Sequence, residues 1–439
     1  LYTKKLHKME TISSSNILDR LSRHILADGY SLIMDIEKSH GSYLVGTDGK
    51  EYLDLFSMYA STTIGYNHPY LLQHTEFLGK MAINKPALSD MYNVYYADFI
   101  DTFSRIVMPE ELQYAFFIEG GTLAVENALK TAFDWKTRLN MMQGINKEAG
   151  KVIHFKQSFH GRSGYTLSLT NTKDPRKHMY FPKFDWPRID NPKLSFPITE
   201  ESLQHTRETE KKAIEQIHAA LRNYPDEIAC IIIEPIQGEG GDNHFRDEFF
   251  RELREICDEY EILLIFDEVQ TGIGITGKMW CYQNFSVLPD IISFGKKTQV
   301  CGILANKEKL NQVPNNVFIE HSRINSTFGG NFIDMIRFKL IMEVIEKENL
   351  VENALTMGNY LKKSLLELDS TVISNIRGRG LFVAFDFLNE EKRNQFIQDT
   401  LSHQLIMLGC GESSIRFRPH LTITKEEIDK AIEIIKKCL

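Results

Sequence analysis

Two short apolar runs near the middle of the chain each lead into charged residues. Residues 262–266 run directly into Asp267, and residues 291–294 are followed after one glycine by Lys296 and Lys297. Short apolar runs preceded by a helical pattern are typical of parallel strands buried on both faces. Ligands bind such sheets at the carboxyl ends of the strands. The pattern therefore predicts that an acid and an amine meet in one crevice.

Helical patterns alternate with short apolar strands between about residues 66 and 330. The predicted strands are residues 114–118, 152–155, 166–170, 228–233, 262–266, 291–294 and 301–305. This alternation predicts an α/β fold in which helices cover both faces of a mostly parallel sheet. Residues 171–199 hold five prolines, and we expect an ordered loop near a site there.

The two ends of the chain are predicted to form a smaller α/β unit. Ser13, Ser14 and Ser15 are placed to cap a helix over residues 16–27, and residues 43–55 alternate as in a β-hairpin. The later predicted elements are helices 332–347, 351–368 and 425–438 and strands 381–385, 405–408 and 415–417. We therefore predict an N-terminal segment (1–65) that is part of the small domain, a large domain (66–330) and a C-terminal small domain (331–439).

The composition excludes several classes of protein. The 439 residues carry a net charge of -8, so neither a nucleic-acid footprint nor a polybasic membrane surface is expected. Apolar runs of membrane-spanning length are not found, and the basic N-terminal stretch does not read as a secretory signal. The six cysteines show no CxxC or CxxH spacing, which favours reduced thiols in a cytoplasmic protein without a metal site.

The predicted meeting of Asp267 with a lysine suits one particular chemistry. A lysine at a strand end is commonly just a solvated charge, but an opposing carboxylate changes that interpretation. The amine can form an imine with a carbonyl while the acid meets a cationic ring nitrogen, which is what pyridoxal phosphate requires. The position of the strand end alone leaves open whether Lys296 or Lys297 supplies this amine.

Glycine-rich turns after other predicted strands offer places for a phosphate and a substrate. Gly120, Gly121 and Thr122 precede a helical pattern, as in an anion site at a helix N-terminus, although a plain capped turn has the same residues. Phe159 and Arg162 follow the strand at 152–155, where they could stack on a ring and meet a carboxylate. Residues 238–241 place an acid, Glu239, in a similar turn.

Two other classes of protein compete with this interpretation. Residues 272–278 match the GxxxxGK of P-loop ATPases, and Asp267 with Glu268 resembles the acidic strand of that class. However, Met279 replaces the hydroxyl residue that would bind magnesium, and the glycine loop does not link its own strand and helix. A noncatalytic binding module is disfavoured by the number of strand ends that carry cofactor-suited groups.

Several segments in order resemble one known family. The run LLIFDEVQTGIGITGKMW with PDIISFGKK is similar to the signature of the class III, pyridoxal-phosphate-dependent aminotransferases, and GGTLAVENALK, FHGRSGYT, EPIQGEGG, NSTFGGN, RGRGLF and RFRPHLTIT follow the family's order. The resemblance extends from Gly41 to the C-terminus. It implies the α/β transferase fold of the aspartate-aminotransferase type, pyridoxal 5'-phosphate as cofactor, and a homodimer with shared active sites.

The resemblance also implies roles for individual residues. Lys296 matches the Schiff-base lysine, seven places after Pro289, and Asp267 matches the acid on the pyridine nitrogen. The remaining matches are Gln270 at the ring hydroxyl, Gly121 and Thr122 at the phosphate, Phe159 as the stacking aromatic, and Thr327 reaching the phosphate of the other subunit, with Asn325 beside the substrate. Leu123 and the run TQVCG depart from the family's pattern and suggest a distinct subfamily.

Within the family, the segments GEGGDNHF and INSTFGG most resemble members that act on L-lysine. These transfer the ε-amino group to 2-oxoglutarate by a ping-pong exchange, giving 2-aminoadipate 6-semialdehyde and L-glutamate. Ornithine and 4-aminobutyrate are the alternative donors. The resemblance implies that Arg162 binds the donor's α-carboxylate and Arg416 the acceptor's carboxylate. Glu239 would mask Arg416 while the donor is bound.

Overall fold

The computed structural model describes residues 16–368 and 371–439. Its strands are β1 (Tyr43–Val45), β2 (Glu51–Asp54), β3 (Tyr114–Ile118), β4 (Lys151–Phe155), β5 (Arg188–Ile189), β6 (Ile228–Ile233), β7 (Leu263–Asp267), β8 (Ile291–Phe294), β9 (Cys301–Ala305), β10 (Ser374–Arg379), β11 (Phe382–Asp386), β12 (Leu405–Ile406), β13 (Leu408–Cys410) and β14 (Ser414–Phe417).

The helices flank these strands on both sides. They are α1 (Ile17–Ser22), α2 (Ser57–Ala60), α3 (Pro69–Gln73), α4 (Thr75–Ala82), α5 (Val94–Ile106), α6 (Gly121–Met142), α7 (Gly164–Leu169), α8 (Glu200–Asn223), α9 (Asp247–Glu259), α10 (Lys307–Leu310), α11 (Phe332–Lys347), α12 (Leu350–Leu366), α13 (Glu390–Ser402) and α14 (Lys425–Cys438). Within the described ranges, none of them is both long and apolar enough to span a bilayer.

A seven-stranded sheet forms the centre of the molecule. Its strand order is β3-β9-β8-β7-β6-β4-β5, and only β9 runs antiparallel to its neighbours. Strands β6, β7 and β8 are buried along their whole length because helices cover both faces, which explains their mainly apolar sequences. The predicted α/β fold with a mostly parallel sheet is confirmed, and the carboxyl ends of these three strands lie at one edge.

Two smaller sheets complete the fold. The hairpin of β1 and β2 is confirmed, and β2 pairs in parallel with β12, so the N-terminal hairpin shares a sheet with the C-terminal part of the chain. Strands β10, β11, β14 and β13 form the other sheet. The domain boundaries at residues 65 and 330 stay a prediction.

The predicted strand at residues 166–170 is wrong, since residues 166–169 belong to helix α7 and Thr170 is its C-cap. The apolar and β-branched run TLSLT has strand-like composition, but Ser163 and Thr166 form a capping box that starts a helix. Strand β10 was not predicted because its sequence, SNIRGR, is polar. The expected cap at residues 13–15 lies outside the described residues, and the helix that follows is shorter than predicted.

Candidate active site

The loops after five strands surround a cavity of about 210 Å³ at the carboxyl edge of the large sheet. Its walls contain most of the residues predicted for the cofactor. The lining residues are Gly121, Thr122, Val125, Phe159, His160, Gly161, Glu234, Asp267, Val269, Gln270 and Lys296. The acid and the amine that end β7 and follow β8 therefore meet in one crevice, as the sequence predicts.

Asp267 is held in place by three hydrogen bonds. His160 Nδ1 lies 2.7 Å from its Oδ2, while Ser293 Oγ and the Val269 amide donate to its Oδ1 at 3.0 and 3.1 Å. Ser293 stands directly opposite Asp267 in the β7–β8 register, so the sheet itself positions this donor. The buried carboxylate is thereby oriented into the cavity and remains available to a cationic partner.

Lys296 lies in the cavity in an unfavourable backbone conformation. Its φ is +55°, a region that non-glycine residues seldom adopt and that clusters at functional sites. Burial lowers the pKa of its amine to about 8, Asp267 and Glu234 raise it, and Arg416 lowers it further. A lysine with a pKa near neutrality is suited to act as a nucleophile and base.

The structure separates the two neighbouring lysines. Lys297 points away from the cavity, is 2% exposed and donates from Nζ to the carbonyl of Gln270 at 2.6 Å. This hydrogen bond ties Lys297 to the loop after β7, whereas Lys296 lines the cavity. The geometry therefore favours Lys296 for the chemistry.

The N-terminus of α6 forms one end of the cavity. Gly121 is the first residue of this 22-residue helix, and the first amide that bonds within it is that of Ala124, to Gly120 at 3.1 Å. Gly161 adopts φ of +119°, and a Cβ there would overlap Thr122 Oγ1. A helix N-terminus with a hydroxyl beside it and no obstructing side chain suits a phosphate group.

The remaining walls fit a flat aromatic ring. Phe159 and Val269 both line the cavity, and a Cβ at Gly121 would stand 3.2 Å from Val269 Cγ1, so glycine keeps this wall open. The cavity thus offers a place for each part of pyridoxal phosphate. The N-terminus of α6 suits the phosphate, the amine of Lys296 the aldehyde, the carboxylate of Asp267 the ring nitrogen, and the open walls the ring. The residues present therefore fit the cofactor.

Glu234 also lines the cavity, although it is not among the residues predicted from the sequence. It follows β6 as Asp267 ends β7, so the same strand-end rule could have found it. Its oxygens accept from the amides of Phe159 and Gly238 at 2.9 and 3.0 Å, and burial raises its pKa to about 7. Glu234 ties the loop that holds Phe159 to the loop that holds Glu239. His160 and Val269 were missed in the same way.

Arg416 lies in β14 and Arg418 directly follows this strand, and the two differ in their hydrogen bonding. Arg418 is fully engaged, with Nη2 and Nη1 at 2.6 and 2.8 Å from Asp242 and Nε donating to Gln270 Oε1 at 3.2 Å. Arg416 is also buried, yet its Nε and Nη1 have no hydrogen-bond partner among the described residues. An unpaired buried guanidinium is costly, so Arg416 is suited to receive an anion.

The predicted substrate residues are only partly brought together. Glu239 is paired with Lys177, at 2.8 Å, and not with Arg416. Arg162 is exposed just before α7. Asn325 and Thr327 are also exposed and do not line the cavity of their own protomer; Asn325 Oδ1 accepts from the next amide, and the Thr327 carbonyl accepts from Ser89 Oγ.

The GxxxxGK stretch is not a phosphate loop in this fold. Its glycines are buried while Lys278 is exposed, and a short 3₁₀ turn (Cys281–Asn284) follows instead of a helix. Glu268 accepts from the amides of Cys281 and Tyr282, both at 2.7 Å, and burial raises its pKa to about 7. Glu268 closes this loop, so the ATPase alternative has no support.

Known proteins with similar sequences include L-lysine-epsilon and 4-aminobutyrate aminotransferases. The family model for class-III aminotransferases matches residues 25–439. The L-lysine-epsilon aminotransferase of Mycobacterium tuberculosis is 48% identical over 95% of this chain and 94% of its own length. That of Amycolatopsis lactamdurans is 44% identical over 97% and 95%. Human mitochondrial 4-aminobutyrate aminotransferase is 32% identical over 93% and 85%.

Solved structures of two aminotransferases superpose on this chain. A lysine aminotransferase from M. tuberculosis superposes with a TM-score of 0.94 at 47% identity, covering 97% of this chain and 99% of that one. An ornithine aminotransferase from Toxoplasma gondii superposes with a TM-score of 0.80 at 22% identity, covering 97% and 94%. The second comparison supports the fold alone.

Proposed function

The chain belongs to the class III aminotransferases, and we propose that it transfers the ε-amino group of L-lysine to 2-oxoglutarate. Enzymes of this family depend on pyridoxal 5'-phosphate. The observation that supports transamination most directly is Lys296, with its lowered pKa, in one cavity with the oriented carboxylate of Asp267. The identity of 48% to an L-lysine-epsilon aminotransferase, against 32% to a 4-aminobutyrate aminotransferase, supports L-lysine as the donor.

We assign the cofactor contacts from the lining of the cavity. Gly121 and Thr122 would hold the phosphate, Phe159 would stack on the ring and Gln270 would meet the ring hydroxyl. When bound, the cofactor withdraws electrons from the substrate carbon that carries the amino group and stores that group between the two half-reactions. Asp267 would keep the ring nitrogen protonated, and His160 would hold Asp267 in that orientation.

Lys296 would serve as the base of both half-reactions. With a pKa of about 8, a useful fraction of its amine is neutral near neutral pH, so Nζ can accept the proton that leaves Cε of the donor. The same Nζ would deliver that proton to the cofactor within the first half-reaction, and in the second it would carry a proton in the opposite direction, to the reacting carbon of the acceptor. The aldehyde product carries its own α-amine at a distance that favours cyclisation.

Two arginines would bind carboxylates at opposite ends of the substrate space. Arg162 would hold the α-carboxylate of L-lysine, far from the reacting carbon, with Asn325 beside the substrate. Arg416 would hold the carboxylate of 2-oxoglutarate next to the reacting carbon. Glu239 would cover Arg416 when the uncharged chain of lysine lies there, because a bare arginine would attract the α-carboxylate of the donor and so present its α-amine for reaction.

We also propose a homodimer in which Thr327 completes the partner's phosphate site. Its exposure and its absence from the lining of its own protomer's cavity support this assignment. Exposed apolar side chains on the segment around Ser89, whose Oγ donates to the Thr327 carbonyl, support it as well. These side chains are Ile83, Met91, Tyr92 and Val94. Mixing Lys296→Ala protomers with Thr327→Ala protomers should restore activity in mixed dimers, whereas each variant alone should be impaired.

Single half-reactions test the donor. L-Lysine, L-ornithine and 4-aminobutyrate are each mixed with the holoenzyme, and the loss of the visible cofactor absorbance is followed while the position of the new carbonyl is identified. We expect L-lysine to react with a kcat/KM at least about tenfold above the others and to lose its ε-amine. A faster reaction with another donor, or loss of the α-amine, would show that the proposed donor is wrong.

A further inference from the structure

The carboxylate of Glu239 has a partner that the family resemblance does not supply. Glu239 Oε1 lies 2.8 Å from Lys177 Nζ, and the two side chains are 25% and 33% exposed. The ion pair is therefore partly shielded from water, which makes it stronger than a fully solvated surface pair. It occupies the same carboxylate that would cover Arg416.

The backbone around Glu239 cannot move easily, so its side chain must do the switching. The Glu239 carbonyl accepts from the Gly411 amide at 2.8 Å, and Arg377 donates to the carbonyl of Asp242 at 2.9 Å. Gly411 lies in the turn between β13 and β14, and β14 contains Arg416. Glu239 is thus anchored to the hairpin that presents Arg416, and rotation of its side chain is what can change its partner.

Lys177 is the cation of its turn that is left to meet Glu239. The turn Pro175–Lys177 is capped by Asp174, which accepts from the amide of Arg176 at 3.0 Å and from its guanidinium at 2.8 Å. Arg176 is therefore already paired. Lys177 and Glu239 both line a cavity of about 690 Å³, which leaves room for the carboxylate to leave its partner.

We infer that Lys177 is a positioning residue that holds Glu239 away from Arg416, so that the Arg416 guanidinium stays open for the carboxylate of the acceptor. This inference rests on the proposed function. Glu239 then alternates between two cations, Arg416 while the donor is bound and Lys177 while the acceptor is bound. Without Lys177, Glu239 would stay on Arg416, and the acceptor would have to displace it.

The substitution Lys177→Met tests the inference in the dimeric holoenzyme. Half-reactions are measured separately with L-lysine and with 2-oxoglutarate, and the Kd of glutarate, a dicarboxylate without the keto group, is measured by calorimetry. We expect glutarate binding and the kcat/KM for 2-oxoglutarate to fall about two- to fivefold, the range for a partly exposed ion pair. The kcat/KM for L-lysine should be unchanged or higher, and Lys177→Arg should restore the wild-type values.

Lys173 provides a matched control. Its Nζ pairs with Glu390 Oε2 at 2.9 Å on the wall of the same cavity, without contact to Glu239. Lys173→Met should leave all three measurements at wild-type values. In a Glu239→Gln background, Lys177→Met should have no further effect, because the mobile carboxylate is absent.

Four outcomes would overturn the inference. These are equal losses in both half-reactions, no change in either, the same acceptor-specific loss in Lys173→Met, and a loss that persists in the Glu239→Gln background. Failure of the proposed function is a separate result, because it would appear as a wild-type enzyme that does not react with L-lysine.

Discussion

The buried amine of Lys296 should cost the cofactor-free protein stability in a pH-dependent way. Burial lowers its pKa from 10.5 to about 8, a difference that corresponds to up to about 3 kcal/mol for holding the charged amine in the folded protein. Lys296→Met keeps the length of the side chain and removes the charge. At pH 7 we therefore expect the variant to have a free energy of unfolding up to about 3 kcal/mol higher than that of wild type.

The sign of the pH dependence follows from the two protonation states. Below pH 8 the amine is charged in both folded and unfolded protein, so the full cost applies. Between pH 8 and 10.5 the folded protein has lost this proton while the unfolded chain keeps it, so the stability of wild type rises with pH. The advantage of Lys296→Met should therefore shrink across this window.

Urea unfolding of the cofactor-free proteins at pH 7, 8.5 and 10 measures the effect. Two background substitutions should change the stability difference between the proteins with and without Lys296→Met in opposite directions. Arg416→Met removes a charge that lowers the pKa of Lys296, so the difference should become smaller. Asp267→Asn removes a charge that raises this pKa, so the difference should become larger. Equal stabilities of wild type and Lys296→Met at pH 7, or a gap that does not change with pH, would refute the reasoning.

Three further substitutions probe the cavity. Asp267→Asn should lower kcat by about two to three orders of magnitude, since the charge that faces the ring nitrogen is lost, and an unchanged kcat would contradict its role. Gly161→Ala should weaken cofactor binding at least about tenfold in equilibrium dialysis, because its φ is positive and the new Cβ overlaps Thr122; wild-type affinity would contradict the proposed cradle. Lys297→Met should retain the cofactor's visible absorbance and measurable turnover while Lys296→Met has neither, and the reverse result would exchange the two lysines.

The carboxyl edge of the sheet could be predicted from local sequence because each contributing strand is a short, mainly apolar run that ends at polar or charged residues. Strands β6, β7 and β8 are buried on both faces, so their residues are apolar up to the carboxyl end except for Ser293 of β8, which donates to Asp267. The placement of Asp267 and Lys296 follows directly from that rule. Helix α7 was mispredicted because its side chains favour a strand while its capping box, a two-residue arrangement, decides for a helix.

The sequence by itself determined the α/β fold, the family and the groups that could meet a cofactor, because strand ends and motif order are local properties of the chain. The motif resemblance already predicted Lys296 as the reactive lysine, and only the tertiary structure supplied the physical reason, because Lys296 lines the cavity while Lys297 Nζ donates to the carbonyl of Gln270. The tertiary structure also decided that Glu239 pairs with Lys177 while Nε and Nη1 of Arg416 find no partner in the described part of the chain, because such long-range choices depend on burial and on distances between residues far apart in sequence.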